Sequence, residues 1–167
     1  MKNTKKIALI GILSALYVVC SLTLKIPMGV GNIALDMGYL VLTVAVFTVG
    51  GWASIVGGMG AMLESIMFSA YGISYSWIVM NILIGLICGL VLRKVKLDKW
   101  KDYLVSAVVI ILAVLVGISA KTLIECNLYH IPLMVKLPKA AVAFGIDTLV
   151  MLIGLPLASK IRKIAYK

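Results

Sequence analysis

Long runs of hydrophobic residues alternate along the chain with short polar or charged clusters. Six of these runs approach the roughly 20 apolar residues that a helix needs to cross a bilayer. They lie at about Ile7–Leu24, Ile33–Val49, Trp52–Ala70, Ser76–Leu92, Tyr103–Ile124 and Lys139–Ala158. The pattern predicts an all-α membrane protein with six transmembrane helices in a single domain, residues 1–167.

The predicted connections are short and leave no room for a separate soluble domain. The longest is an outer loop at Glu125–Pro138, and the most charged is the RKVKLDKWKD segment at Arg93–Asp102. The first apolar run follows MKNTKK and resembles a signal peptide. Because five more runs follow it, we expect it to be retained as the first helix.

Composition excludes a soluble or disordered chain. Hydrophobic residues make up 63% of the sequence and charged residues 13%, against roughly 45–50% and about 25% in soluble domains. The net charge is +10. The basic residues lie in clusters between apolar runs, which is typical of membrane topology rather than of a nucleic-acid surface.

The distribution of Lys and Arg predicts the orientation. With both termini cytoplasmic, twelve of the sixteen lie inside: Lys2, Lys5, Lys6, Arg93, Lys94, Lys96, Lys99, Lys101, Lys160, Arg162, Lys163 and Lys167. The other four, Lys25, Lys121, Lys136 and Lys139, lie on or near the outer side. This positive-inside bias predicts a multi-pass membrane protein with six helices and both ends inside.

Polar residues concentrate in the outer half of the predicted bundle. Four acidic residues lie there, namely Asp36, Glu64, Glu125 and Asp147, together with Asn32, Trp77, Asn81 and Lys121. Ionisable groups are costly in a bilayer and usually mark function or a pair facing the bundle interior. Lys121 and Glu125 are one turn apart and could form a structural ion pair. The gradient predicts a polar cavity that opens outward above a dry inner half.

No catalytic, metal or cofactor motif is present. The single histidine, His130, could act as a base only with a nucleophile, and the sequence has no GxSxG motif to supply a serine. It also has no HExxH or Walker sequence. The three cysteines have no metal-binding spacing. We therefore expect neither an enzyme nor a cofactor.

Small residues recur on helix faces at spacings of four. Gly11 and Ala15 form such a pair on the first helix, and this spacing lets helix backbones approach closely in lipid. Either packing inside the bundle or docking of an external protein partner would explain this spacing.

With this architecture, the chain resembles a substrate-binding (S) component of an energy-coupling factor (ECF) vitamin transporter, riboflavin-type or related. The resemblance rests on the size, the basic N-terminus, the small residues of the first helix, PMGVGNIALDMGYL at Pro27–Leu40 and WIVMNILIGLICGL at Trp77–Leu90. The alanine-x-x-x-alanine docking pattern of many S components is not intact, because Ile12 follows Ala8 by four residues. Gly11 and Ala15 are its nearest substitute.

The resemblance implies capture of a vitamin or precursor near the outer face, under a lid formed by the first outer loop. Asn32 and Asp36 would lie at the lid and entrance, and the pocket would be lined by Trp77, Asn81, Lys121, Glu125 and Asp147. It also implies docking through the first helix on a transmembrane scaffold that carries two ATPases, followed by toppling within the lipid to release substrate inwards.

The charges of the predicted cavity bear on the ligand. Up to four carboxylates, Glu64 among them, face one clear cation, Lys121, which favours a neutral or cationic heterocycle over a multiply anionic vitamin. Two alternatives remain open from the residues: a small proton-coupled carrier that uses Glu64 or Asp147, and a purely structural membrane scaffold.

Overall fold

The computed structural model describes residues 3–24, 26–27, 34–68 and 73–165. Six α-helices occur in these ranges: α1 at Asn3–Thr23, α2 at Gly38–Val49, α3 at Ala53–Phe68, α4 at Tyr75–Val91, α5 at Trp100–Tyr129 and α6 at Leu133–Ala165. Two-residue strands β1 (Ile26–Pro27) and β2 (Ala34–Leu35) pair antiparallel between α1 and α2. Short 3₁₀ turns at Gly50–Trp52 and Leu92–Lys94 follow α2 and α4.

The helices close into a ring. Each packs against two neighbours in the order α1, α3, α4, α5, α6, α2 and back to α1, and α2 also contacts α3 and α4. Of the twelve residues of α2, all but Leu40 are buried. A helix that is hydrophobic on every side is either enclosed by protein or faces lipid, and the burial of α2 shows that it is enclosed by its neighbours α1, α3, α4 and α6.

The bundle has two chemically different ends. One end, which we call the polar end, holds the end of α1, the β1–β2 pair and the starts of α2, α4 and α6. The opposite basic end holds the start of α1, the two 3₁₀ turns and the start of α5. There the Arg162 guanidinium donates to the Val95 carbonyl and Lys163 lies 3.4 Å from Asp98.

Glycines allow α3 and α4 to pack with their backbones almost in contact. A methyl group on Gly85 would lie 2.6 Å from the Ala53 carbonyl oxygen, and one on Gly57 would lie 2.9 Å from the Asn81 carbonyl oxygen. Gly50 has φ +62° where α2 ends, a conformation that favours glycine. These close contacts fix the α3–α4 pair that carries Glu64 and Asn81.

The helix boundaries correct the sequence prediction in two places. The predicted loop at Glu125–Pro138 is wrong, because α5 continues to Tyr129 and α6 begins at Leu133. Only three residues connect the two helices, and His130 adopts a left-handed conformation with φ 51°. Pro138 lies inside α6, so it does not mark the start of that helix.

Five stretches, rather than six, are both long and apolar enough to cross a membrane in the described part of the chain. The second of them, Gly38–Met67, contains both α2 and α3. The twelve residues of α2 span only about 18 Å at 1.5 Å per residue, less than a hydrocarbon core of about 30 Å. The fold is therefore an all-helical membrane bundle, and six crossings with cytoplasmic termini stay a prediction.

A candidate substrate site at the polar end

A buried tyrosine joins the helices of the polar end. Tyr17 of α1 is fully buried, and its hydroxyl donates a hydrogen bond of 3.1 Å to Asn81 Oδ1 of α4. Its ring packs against Gly38 of α2 and Gly60 of α3, where a methyl group on either glycine would collide with it. Four helices therefore meet around one aromatic side chain.

Three buried carboxyl groups lie within electrostatic range of this tyrosine. Asp36, Glu64 and Asp147 are exposed by only 4%, 3% and 7%, and all three act electrostatically on the Tyr17 hydroxyl. Glu64 accepts a hydrogen bond from the Ser21 hydroxyl. The structure thus brings together three acidic residues that the sequence places on separate helices or loops.

Asp36 lies between β2 and α2 and has a defined partner. It is buried at the start of α2, where its Oδ1 accepts the Gly38 N–H at 2.7 Å. This N–H is one of the first-turn donors that have no partner within the helix. Asp36 therefore caps the first turn of α2, and its assignment to the lid and entrance stays a prediction.

Aromatic and amide groups complete the buried part of the cluster. Asn81 is fully buried, and its Nδ2 donates to the Trp77 carbonyl oxygen at 3.0 Å. Trp77 is half-buried one turn earlier on α4. Tyr39, 1% exposed on α2, lies within electrostatic range of the Asp147 carboxyl. Together these groups offer flat apolar rings beside hydrogen-bonding atoms.

A second polar network lies between α4, α5 and α6. Glu125 accepts hydrogen bonds from Lys136 Nζ at 2.5 Å and from the Ser76 hydroxyl at 3.0 Å. The ion pair of Glu125 is therefore with Lys136 of α6, rather than with Lys121 as its spacing allowed. Lys121 is half-buried and within electrostatic range of Asp147. It is the cation that links this network to the carboxyl cluster.

Of the predicted site residues, Asp36, Glu64, Asn81 and Asp147 join the buried cluster, whereas Trp77, Lys121 and Glu125 lie around it. Asn32 lies outside the described residues. Gly11 and Ala15 are both exposed on α1, and nothing lies within 4 Å of a methyl group placed on Gly11. They do not pack inside the bundle as described, which leaves that face of α1 open.

Sequence reasoning missed Tyr17, Ser21, Tyr39, Ser76 and Lys136. A serine in a membrane helix commonly bonds the carbonyl one turn back, as Ser14 does to Ile10 at 2.9 Å. Ser21 looks the same in the sequence, yet it bonds Glu64. A usable signal was present at Tyr17, whose hydroxyl needs a partner once it is buried in lipid.

The inner half is less closed than its aliphatic sequence predicts. A cavity of about 540 Å³ lies at the basic end, lined in part by Lys6 and Arg93. A second, apolar groove of about 420 Å³ lies between the later part of α5 and the start of α6, towards the polar end rather than in the inner half. In the described ranges, no group of three His, Cys, Asp or Glu side chains is placed to hold a metal ion.

Comparison with solved structures finds the same fold in a known transport component. The crystal structure at 2.1 Å of the S-component for biotin from an ECF-type ABC transporter superposes with a TM-score of 0.76. The match covers 98% of this chain and 95% of that one, at 16% sequence identity. At this identity the likeness establishes the fold. No curated protein matches the sequence.

Comparison with protein families extends over nearly the whole sequence. Residues 1–163 match the family described as ECF-type riboflavin transporter, S component. This match agrees with the fold and with the resemblance drawn from the sequence. The chain belongs to the ECF-type riboflavin transporter S component family.

Proposed function

We propose that this protein is the high-affinity substrate-binding subunit of an ECF-type importer and that it captures a vitamin from outside the cell at the polar end. The buried cluster around Tyr17 carries this proposal. It gathers three carboxyl groups, an amide and two tyrosines inside a membrane bundle. Buried polar groups in lipid are costly and usually mark a functional site.

The charges of the cluster favour a neutral, hydrogen-bonding heterocycle. Asp36, Glu64 and Asp147 lie together, and Lys121 is the cation at their edge. Riboflavin, the vitamin in the family's name, has an uncharged ring system with several donors and acceptors. Biotin, the vitamin of the fold neighbour, carries a carboxylate that these acids would repel. We therefore propose a riboflavin-like substrate.

The shape of the neighbouring side chains supports a flat ligand. Trp77 is half-buried one turn before Asn81, and Tyr39 lies within electrostatic range of Asp147. Aromatic rings stack on flat heterocycles, while amide and carboxyl oxygens accept hydrogen bonds from ring N–H groups and hydroxyls. Lys121 and Glu125 would close the site from α5, and Asn32 would act from the first outer loop.

The proposal includes partners that drive transport. The exposed face of α1 with Gly11 and Ala15 would dock on a transmembrane scaffold that carries two ATPase subunits. Small residues permit close helix contacts in lipid. In this arrangement the chain crosses the bacterial cell membrane six times, with both termini in the cytoplasm, and the scaffold supplies the energy for release. The chain itself performs no catalysis.

A binding titration of the purified protein in detergent tests the substrate. We expect riboflavin to bind with submicromolar affinity, followed by quenching of its own fluorescence, and biotin not to compete. Asp147→Asn should weaken binding by about tenfold or more, as expected for loss of a hydrogen bond to a charged group. Asp98→Asn, an exposed acid at the basic end, is the matched control and should bind normally.

Two results would contradict the proposal. Submicromolar binding of biotin by the wild type would overturn the charge argument. Uptake of vitamin by vesicles that contain this chain alone, driven by a proton gradient and lost in Glu64→Gln, would identify a secondary carrier. We expect uptake only when the scaffold and its ATPases are present and ATP is supplied.

A further inference from the structure

The cavity of about 540 Å³ at the basic end lies outside the proposed substrate site. It opens where α1, the Gly50–Trp52 turn and the end of α4 come together. Lys6 reaches it from α1 and Arg93 from the turn after α4. Among the described residues that line the cavity, none is acidic. Two cations from separate elements therefore face a common space without a lining carboxylate.

The positions of both cations are supported by their neighbours. Lys6 Nζ lies 4.7 Å from the centroid of the Trp52 ring, within the range of a cation–π contact. The Arg93 side chain lies over Gly50, where a methyl group would be 3.4 Å from its Cγ. The aliphatic part of Arg93 therefore packs over the Gly50 backbone beside the cavity.

Part of the cavity lining is aliphatic and lies at the outer surface of the bundle, beside the buried end of α2. Ile55, Leu86 and Leu90 line it and are exposed by 36%, 38% and 62%. On a membrane helix such exposed aliphatic side chains contact acyl chains. Half-exposed Trp52 is a residue type enriched at the membrane–water interface. The cavity therefore has cationic groups beside a wall suited to hydrocarbon.

We propose that this cavity binds an anionic phospholipid, with the phosphate held by Lys6 and Arg93 and an acyl chain along Ile55, Leu86 and Leu90. Basic pockets between membrane helices bind acidic headgroups because the cations gain a charged partner. The aliphatic side chains favour a lipid phosphate over a soluble anion, because a soluble anion would leave them without a contact. The site is independent of the vitamin site.

Quenching of Trp52 by bromine-labelled lipid tests this site. The purified full-length protein in detergent is titrated with phosphatidylglycerol or phosphatidylcholine carrying brominated acyl chains. The same titration of Trp52→Phe isolates the contribution of Trp52. We expect saturable quenching at lower concentrations of phosphatidylglycerol than of phosphatidylcholine.

Charge variants separate this site from the general charge of the basic end. In the Lys6→Gln/Arg93→Gln variant, the half-quenching concentration of phosphatidylglycerol should rise about tenfold or more. The Lys101→Gln/Lys160→Gln variant removes the same charge from exposed positions outside the cavity and should keep the wild-type value. Equal losses in both variants, or equal quenching by the two lipids, would overturn the proposal.

A filling variant provides a second test that keeps both cations. Ile55→Phe adds bulk to the apolar wall and should raise the half-quenching concentration, while the melting temperature stays near that of the wild type. Inorganic phosphate at millimolar concentration should leave the lipid quenching unchanged. Displacement of the lipid by phosphate would overturn the proposal, because it would indicate a site for a soluble anion.

Discussion

The Tyr17 hydroxyl donates a hydrogen bond of 3.1 Å to Asn81 Oδ1, joining α1 to α4 through the interior of the bundle. The same amide donates from Nδ2 to the Trp77 carbonyl oxygen. Asn81 therefore has a fixed orientation, with its oxygen towards Tyr17 and its nitrogen towards its own helix. This contact couples the helix with the open small-residue face to a helix of the proposed vitamin site.

The first prediction concerns this hydrogen bond. Tyr17→Phe should lower the free energy of unfolding by about 1–3 kcal/mol, because a fully buried amide oxygen loses its donor. Thermal unfolding in detergent measures the change. Tyr103→Phe, at a half-buried position near the start of α5, is the control and should change stability by less than about 0.5 kcal/mol. Equal losses of stability in the two variants would show that the Tyr17–Asn81 hydrogen bond does not stabilise the fold.

The membrane class and the number of helices could be predicted because long apolar runs are the strongest signal a sequence carries. The residues at which α5 ends and α6 begins could not be predicted from the sequence. Glu125 and Lys136 look like loop residues, yet each has the other as its partner. An ion pair between helices allows charged residues to remain helical, and a single sequence does not reveal such pairs before the fold is known.

The site shows the same division between local and tertiary information. The positions of Glu64 and Asp147 within apolar runs predicted that they are buried, since carboxyl groups in a bilayer require partners. Their common neighbour, Tyr17, depends on the ring order of the helices. The short strands also keep the chain extended as far as Leu35, so that α2 begins only at Gly38. This accounts for the buried position of Asp36 and for an α2 that is shorter than the predicted helix.

A second prediction compares two ion pairs by double-mutant cycles. The Lys136–Glu125 side chains are 24% and 14% exposed, whereas Lys163 and Asp98 are 63% and 53% exposed. Because solvent screens exposed pairs, we expect a coupling free energy of about 1 kcal/mol for the first pair and close to zero for the second. Unfolding of single and double alanine variants measures both. A larger coupling at the exposed pair would contradict this ranking.

A third prediction uses two glycines with opposite surroundings. Gly85→Ala should destabilise the protein by about 2 kcal/mol or more, because its methyl group would lie 2.6 Å from the Ala53 carbonyl oxygen. Gly11→Ala meets nothing within 4 Å and should be neutral or stabilising by up to about 1 kcal/mol, since alanine favours helix. Melting temperatures of both variants test this. Equal melting temperatures would show that α3 and α4 can separate at little cost.

The last prediction separates docking from capture on α1. Gly11→Phe and Ala15→Phe place bulk on exposed positions that lie away from the Tyr17–Asn81 contact. If this face meets the scaffold, both variants should keep vitamin affinity within about twofold, because the polar end is unchanged. Both should lose most copurification with the scaffold and ATPases when these are coexpressed. Val108→Phe, on an exposed position of α5, adds similar bulk elsewhere and should copurify normally. Retained copurification of both α1 variants would move the docking surface to another face, while loss of vitamin binding would show that α1 also shapes the pocket.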